Sequence, residues 1–229
     1  MDESARNYFL FASTIADGIR TNQSGLIYEN KSICYPDIDL ITSDPVNCKL
    51  ISDHFTICIN SIKKHSPHSP DFLCFIEKDG IGAVGMIRFA ADLTMRTGIP
   101  NITIQESRDL PCEIIKVPAK DMTNTDQTNH KLFGKKVLLI DDVSTSGEGL
   151  MRAIKYIRES GGEVHEIVLY YCSLPNKTFE EFSENEISIY TLIRPSDIWY
   201  MLDKNKTKEE SAVPDIFDSK ISKLRTVFT

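Results

Sequence analysis

Nowhere does this chain approach the roughly 20 consecutive apolar residues that a membrane-spanning helix needs. It has no surplus of positive charge either. Its 33 Asp and Glu against 26 Lys and Arg leave a net charge of -7, so there is no basic footprint for nucleic acid or a membrane surface. None of the six cysteines, Cys34, Cys48, Cys58, Cys74, Cys112 and Cys172, forms a CxxC pair. That spacing argues against a zinc site and against a secreted disulfide framework, and reads as reduced, mostly buried thiols of a cytoplasmic protein. The opening MDESARNYF has no basic stretch followed by an apolar one, so no signal peptide is expected. Also missing are the Lys-Ser/Thr that closes a P-loop and a GxGxxG dinucleotide turn. With 41% hydrophobic and 26% charged residues, the composition is that of an ordinary globular protein. Its 229 residues suffice for one α/β domain with extensions.

The most informative stretch runs from Val137 to Gly149. Val137-Leu138-Leu139-Ile140 reads as a strand buried on both faces, as in a parallel sheet. Asp141 and Asp142 follow where that strand should end. Val143-Ser144-Thr145-Ser146-Gly147 then makes a short loop before a helix over about 148–160. Open α/β sheets bind ligands at the carboxyl ends of their strands. A loop of small residues entering a helix offers backbone N–H groups to a phosphate. Two carboxylates beside such a loop suit sugar hydroxyls or a divalent cation. The combination predicts a site for a phosphorylated sugar, whereas an Asp pair by itself could be no more than a helix cap.

Strand and helix alternate through the rest of the chain. Amphipathic spacing predicts helices over residues 4–20, Pro45 to Lys64 and about Ile81 to Thr97, the last stopped by Gly98 with Pro100 beyond. Phe72 to Ile76, Ile102 to Gln105, 137–141, Ile167 to Tyr171 and Glu186 to Leu192 read as strands, and Pro195 to Leu202 as a short helix. This order implies βαβ units around a parallel sheet. Residues 203–212 read as a solvated charged linker. The tail after Pro214 carries Ile216, Phe217, Ile221 and Leu224 at helical spacing and could dock on the body or on a partner subunit.

The run at 137–149 resembles the phosphoribosyl-pyrophosphate (PRPP) signature of the type I phosphoribosyltransferases: an apolar strand, two acidic residues, two spacers, Thr, a small residue and Gly. The element order is most similar to that of the orotate phosphoribosyltransferases. Lys31-Ser32-Ile33-Cys34-Tyr35-Pro36-Asp37-Ile38-Asp39-Leu40 and Ser43-Asp44-Pro45 follow that branch's hood and first core helix. The resemblance implies a Rossmann-like α/β fold, a parallel sheet flanked by helices, with a small N-terminal hood. Residues 1–203 would form the phosphoribosyltransferase domain, with the hood in 1–43 and the core in about 44–202. Residues 204–229 would be the charged linker and a possible docking helix.

By the same resemblance, Asp141 and Asp142 take the ribose hydroxyls, and Thr145, Ser146, Gly147, Glu148 and Gly149 take the 5′-phosphate. Lys78, Asp79 and Gly80 stand at the pyrophosphate loop, where Lys78 also reads as a solvated turn residue. Lys31 and Tyr35 are the candidates for binding the base. Asp141, Asp142, Lys78 and Arg108 are the candidates for catalysis. The resemblance further implies Mg²⁺ bound mainly through PRPP, with no metal ligands assigned on the protein. PRPP and a nitrogen base would be the partners, in a homodimer, with orotate the expected base.

Four positions depart from the pattern. Glu148 replaces a neutral residue, and Pro36-Asp37 stands near the second hood aromatic. Tyr171-Cys172-Ser173 replaces the Asp-Arg pair that holds orotate. The segment 105–131, where a mobile lid is expected, has no glycine. Two alternatives therefore stay open: a transferase for another base, or a non-catalytic PRPP-binding regulator of the same fold.

Overall fold

The computed structural model describes residues 26–29, 33–36, 41–78, 85–106, 113–116, 132–193 and 225–226. Residues 26–29 (β1) and 33–36 (β2) pair antiparallel as a two-stranded ribbon, within the stretch expected to form the hood. The remaining strands form one sheet: Phe72–Lys78 (β3), Asn101–Glu106 (β4), Glu113–Lys116 (β5), Lys136–Ser144 (β6), Glu163–Cys172 (β7), Ser188–Ile193 (β8) and Arg225–Thr226 (β9). Their spatial order is β5-β4-β3-β6-β7-β8-β9. Five strands from β4 to β8 run parallel, β9 extends them in parallel, and β5 alone is antiparallel. The expected parallel sheet is thus present, with an antiparallel edge strand that its four residues did not announce.

Alternation along the strands explains the layering. Leu73, Phe75, Leu138, Ile140, Val168 and Tyr170 point to one face. There they meet helix α1 (Pro45–His65) and helix α2 (Ala90–Thr97). Phe72, Cys74, Val137, Leu139, Ile167 and Leu169 point to the other. That face is covered by helix α3 (Glu148–Glu159) and helix α4 (Asn176–Glu184). Because both faces are covered, the strands are near-continuous apolar runs. Each large core side chain stabilises by roughly 1.5–3 kcal/mol through burial. Phe55 on α1 stacks on Tyr170 of β7, ring centroids 6.3 Å apart, and both are inaccessible to solvent.

The helix boundaries follow local chemistry. Asp44 caps α1 by accepting the Val46 N–H at 3.2 Å, and Pro45 occupies the first turn, where its missing N–H costs nothing. Gly98 ends α2 in the left-handed conformation at φ +68°, its N–H donating to Thr94 O, as its position before Pro100 predicts. The helix expected from about Ile81 instead begins, among the described residues, as a 3₁₀ turn over Gly85–Phe89 and becomes α-helical at Ala90. Phe89 at its start offers no capping side chain.

Helix α4 was not legible because its apolar face consists of only two residues, the buried Phe182 and the partly buried Phe179, in a nine-residue helix. The helices expected at 4–20 and Pro195 to Leu202, the linker at 203–212 and most of the tail lie outside the described residues. Two tail residues, Arg225 and Thr226, pair with Tyr190 and Thr191 of β8. No helix among the described residues is long and apolar enough to cross a membrane.

Candidate functional site

The strand order fixes where a ligand can enter. From β3 the chain crosses through α2 to β4 on one side. From β6 it crosses through α3 to β7 on the opposite side. Right-handed crossovers in opposite directions put α2 and α3 on opposite faces, so a crevice opens beyond the carboxyl ends of β3 and β6. These two strands are direct neighbours, with Phe75 opposite Ile140. Lys78, the last residue of β3, therefore ends beside the part of β6 that carries Asp141 and Asp142.

At that edge Asp141 is buried and Asp142 half-buried. Asp141 Oδ1 accepts the Asp142 N–H at 3.0 Å, and Asp142 Oδ1 accepts the Val143 N–H at 2.7 Å. Each carboxylate thus accepts the next amide of its own strand, and an ionised carboxylate is also an acceptor for hydroxyl protons. The backbone of Asp141 pairs with Leu169, so the acidic pair stands on the central ladder of the sheet rather than on a loose loop.

The loop that follows is tightly built. Gly147 lies at φ +82° and is buried as the residue before α3. A Cβ there would fall 2.6 Å from Thr178 Cγ2, 3.1 Å from Leu174 and 3.2 Å from Phe182, so glycine is required twice over. Ser146 Oγ accepts the Glu148 N–H at 3.4 Å, and the first carbonyl engaged by the helix is Gly147 O, bonded to the Met151 N–H at 3.0 Å. The N–H groups of the first turn have no intrahelical partners, and the positive end of the helix dipole lies at the same place. Together these features favour an anion at 145–149.

Glu148 does not fold over this loop. Its side chain is 78% exposed and reaches along the helix toward Arg152, 3.9 Å away. Beneath the loop, the Ser173 N–H donates to Ser144 O at 3.0 Å and Thr178 Oγ1 donates to Ser146 O at 3.4 Å. The supporting residues Leu174, Thr178 and Phe182 escaped sequence reasoning. They lie about thirty residues downstream of the loop, and nothing local marks them. By contrast, the Glu148–Arg152 pair is legible from its i,i+4 spacing.

The structure brings together Asp141, Asp142, Thr145, Ser146, Gly147, Glu148 and Gly149, with the backbone of Lys78 alongside. Tyr35 lies on β2, opposite Ile27 in the two-stranded ribbon. Lys31, Asp79, Gly80 and Arg108 lie outside the described residues, as does the expected lid. No group of three or more His, Cys, Asp or Glu side chains suited to a metal ion occurs among the described residues.

No family model matches the chain. It is nevertheless similar to curated proteins of two kinds. It is 34% identical over 101 residues to an orotate phosphoribosyltransferase of Fusobacterium nucleatum, a match covering 43% of this chain and 48% of that enzyme, about half its length. Its likeness to the orotate phosphoribosyltransferase of Sulfolobus acidocaldarius is 26% over 147 residues, covering 63% of this chain and 74% of the relative. The adenine phosphoribosyltransferase of Chlorobium chlorochromatii is 26% identical over 170 residues, covering 72% of this chain and 90% of the relative.

Among solved structures, the orotate phosphoribosyltransferase of Aeropyrum pernix superposes with a TM-score of 0.59 at 14% identity, covering 84% of this chain and 99% of that one. An adenine phosphoribosyltransferase structure gives 0.53 at 15% identity, covering 80% and 99%. At such identities the structural likeness speaks for the fold alone. Fold and shared sequence together relate this chain to the type I phosphoribosyltransferase family, to its orotate and adenine members alike.

Proposed function

We propose that the protein transfers the phosphoribosyl group of PRPP to a nitrogen base and releases pyrophosphate, with orotate as the base. The observation that carries this reading is the juxtaposition at the end of β6: two strand-borne carboxylates followed directly by a loop that only glycine can close. Asp141 and Asp142 would accept the ribose 2′- and 3′-hydroxyl protons. Thr145 to Gly149 would hold the 5′-phosphate against the α3 N-terminus. Binding of the ribose at two fixed ends turns substrate affinity into orientation of the anomeric carbon.

In the reaction the lone pair of a base nitrogen forms the new bond to that carbon. The bond to the pyrophosphate oxygen breaks, its electron pair leaves with pyrophosphate, and the base N–H proton goes to solvent. The adjacent carboxylates stabilise the positive charge that develops on the ribose ring. Lys78 and Arg108 would meet the charge accumulating on the leaving group. A donor set of two carboxylates at the strand end suits a hydrated Mg²⁺ carried by the pyrophosphate oxygens. When bound, that ion neutralises the leaving group. The reading further proposes a cytoplasmic homodimer with Lys31 and Tyr35 at the base.

A second base has a specific observation in its favour. The adenine phosphoribosyltransferase match extends over more of this chain, 72%, than the orotate matches at 43% and 63%. Tyr171-Cys172-Ser173 also lacks the Asp-Arg pair expected of an orotate site. The test has two stages. Titration calorimetry with Mg-PRPP should show binding to the wild type and its loss in Asp141→Asn/Asp142→Asn; equal binding by both would sink the site. Pyrophosphate release should then be followed with orotate, adenine and other bases. Turnover with adenine alone would replace orotate, and binding without release from any base would favour a regulator.

A further inference from the structure

Three links join α1 and the residues just before it to the segment 85–97 that follows the end of β3 in sequence. Near one end, Lys63 Nζ donates to Thr97 O at 2.8 Å. In the middle, Arg96 reaches Asp53 at 2.7 Å and Asp92 at 2.8 Å, while the Ser52 hydroxyl donates to Asp92. At the other end, Arg88 Nη1 donates to the Thr42 hydroxyl. Helix α1 leads into β3 through residues 66–71, so its far end, with Thr42, lies at the carboxyl edge of the sheet. The Arg88–Thr42 link is therefore the one on the side of the functional site.

Its surroundings are closely packed. Thr42 is 6% exposed, and Met86 and Phe89 flank Arg88 in the core at 1% and 2%. The 3₁₀ turn Gly85–Phe89 packs against β3, α2 and β6, the strand that bears the acidic pair. Arg88 itself is half-buried. A guanidinium in such a place binds a hydroxyl through a charge-assisted, directional bond, which suits it to fixing a position.

We propose that Arg88 is a positioning residue for the functional site, joining the residues just before α1 to the Gly85–Phe89 turn through Thr42 and so setting that turn against β6, the strand that bears the acidic pair. The proposal rests on the phosphoribosyl-transfer reading for its ligand but not for its geometry. Nothing in the 137–149 signature points to Arg88, and Thr42 and Arg88 are 46 residues apart.

The test uses Arg88→Met, which keeps the stem and removes the donors, Thr42→Val, which removes the acceptor at nearly constant shape, and their double variant. Amide hydrogen exchange over 85–89 without ligand reads the anchor. Titration with Mg-PRPP reads its consequence, and the thermal midpoint reports global folding. Faster exchange confined to this turn is expected in both single variants. PRPP binding should weaken about tenfold in Arg88→Met, with the double variant no weaker and Arg88→Lys partly restored. Transfer assays should show a raised KM for PRPP and an unchanged KM for the base.

Wild-type exchange over 85–89 in both variants would overturn the proposal. So would weakened PRPP binding in Arg88→Met with Thr42→Val unchanged, since the guanidinium would then act on the ligand directly. A wild type that takes up no Mg-PRPP sinks the phosphoribosyl reading instead, and the exchange measurement still decides whether the link holds the turn.

Discussion

Gly147 and Thr178 are packed so closely that a single methyl on Gly147 would sit 2.6 Å from Thr178 Cγ2. The phosphate-type loop is therefore shaped from below by α4 as well as by its own sequence. Gly147→Ala is expected to cost about 1–2 kcal/mol for the left-handed backbone, with a further steric penalty from Thr178. Thr178→Ser deletes Cγ2 while keeping the hydroxyl that donates to Ser146 O. Adding it to Gly147→Ala should recover the steric share and leave the backbone share. Denaturant midpoints of the two single variants and the double variant measure both, and strict additivity would show that the two residues do not press on each other.

Glu148 is a carboxylate beside a candidate anion site, yet its exposure and its reach toward Arg152 place it in high dielectric. Charges so exposed are strongly screened, and ion pairs of this kind contribute little. Glu148→Gln should tighten Mg-PRPP binding by less than threefold at low salt, with the difference vanishing near 1 M salt. Calorimetric titration at two ionic strengths checks this. A tenfold, salt-independent gain would mean that the carboxylate turns over the loop when the ligand arrives.

How far the chain could be read in advance followed from how local each signal is. The strands of the central sheet announce themselves because both faces are buried, so Val137 to Ile140 and Ile167 to Tyr171 are unbroken apolar runs. Asp44-Pro45 and Gly98 mark helix ends through chemistry confined to a few residues. The acidic pair and its loop were legible for the same reason. What stayed hidden depends on long-range contact. Helix α4 has one buried residue, and β5 is an edge strand of four residues whose pairing with β4 shifts register at Thr103/Ile104. The floor beneath Gly147 and the Arg88–Thr42 link exist only once distant segments meet. Of the candidate site, the acidic pair and its glycine loop could be read as local structure. Of the residues expected at the base and lid, Lys31 and Arg108 lie outside the described residues and Tyr35 is fixed only by its place in the ribbon.

The four described cysteines divide by accessibility. Cys58, Cys74 and Cys172 are almost fully buried, whereas Cys48 is half-buried on α1. Burial pushes the Cys172 thiol up to about 12, against a small opposing pull from its hydrogen bond with the Leu174 backbone. Burial, reinforced by Glu166, raises Cys58 as well. Thiolate is the reactive form, so these groups should be inert at neutral pH. Mass-spectrometric mapping after brief alkylation of native protein should find Cys48 modified well before the other three. Early modification of Cys172 would mean that the end of β7 opens.

His54 gives the fold a pH dependence near neutrality. It is 1% exposed on α1, and burial lowers its pKa, with the nearby Asp53 carboxylate pulling the other way without cancelling the effect. The unfolded chain therefore takes up a proton at about pH 6.5 that the folded chain refuses. Stability from this group is complete above that pH and falls as the pH drops below it. Urea midpoints should decline from pH 7.5 toward pH 5. In His54→Leu the slope over this window should flatten, whatever happens to the absolute midpoint. An unchanged slope would reassign the dependence to another group.

The ionic clasp between α1 and α2 acts in a lower window. Partial burial raises the carboxyls of Asp53 and Asp92, but hydrogen bonds and charge outweigh it, from Lys49 and Arg96 at Asp53 and from Ser52, Arg96 and Lys49 at Asp92. Both are held below the usual carboxylate value. A depressed carboxyl contributes stability that is fully present above the unfolded value of about 3.9 and is lost as the pH falls through the folded value. The groups are partly exposed, at 28% and 37%, so solvent screening keeps their contribution modest. The expected signature is therefore a second, shallower loss of stability below about pH 4, separate from that of His54. Arg96→Met retains the aliphatic stem and removes both bonds. It should lower the midpoint at pH 6 by more than at pH 2.5, where the carboxyls of the unfolded chain are already protonated and the contribution of the depressed folded-state carboxyls is reduced. Equal losses at both pH values would show that Arg96 supports α2 through packing rather than charge.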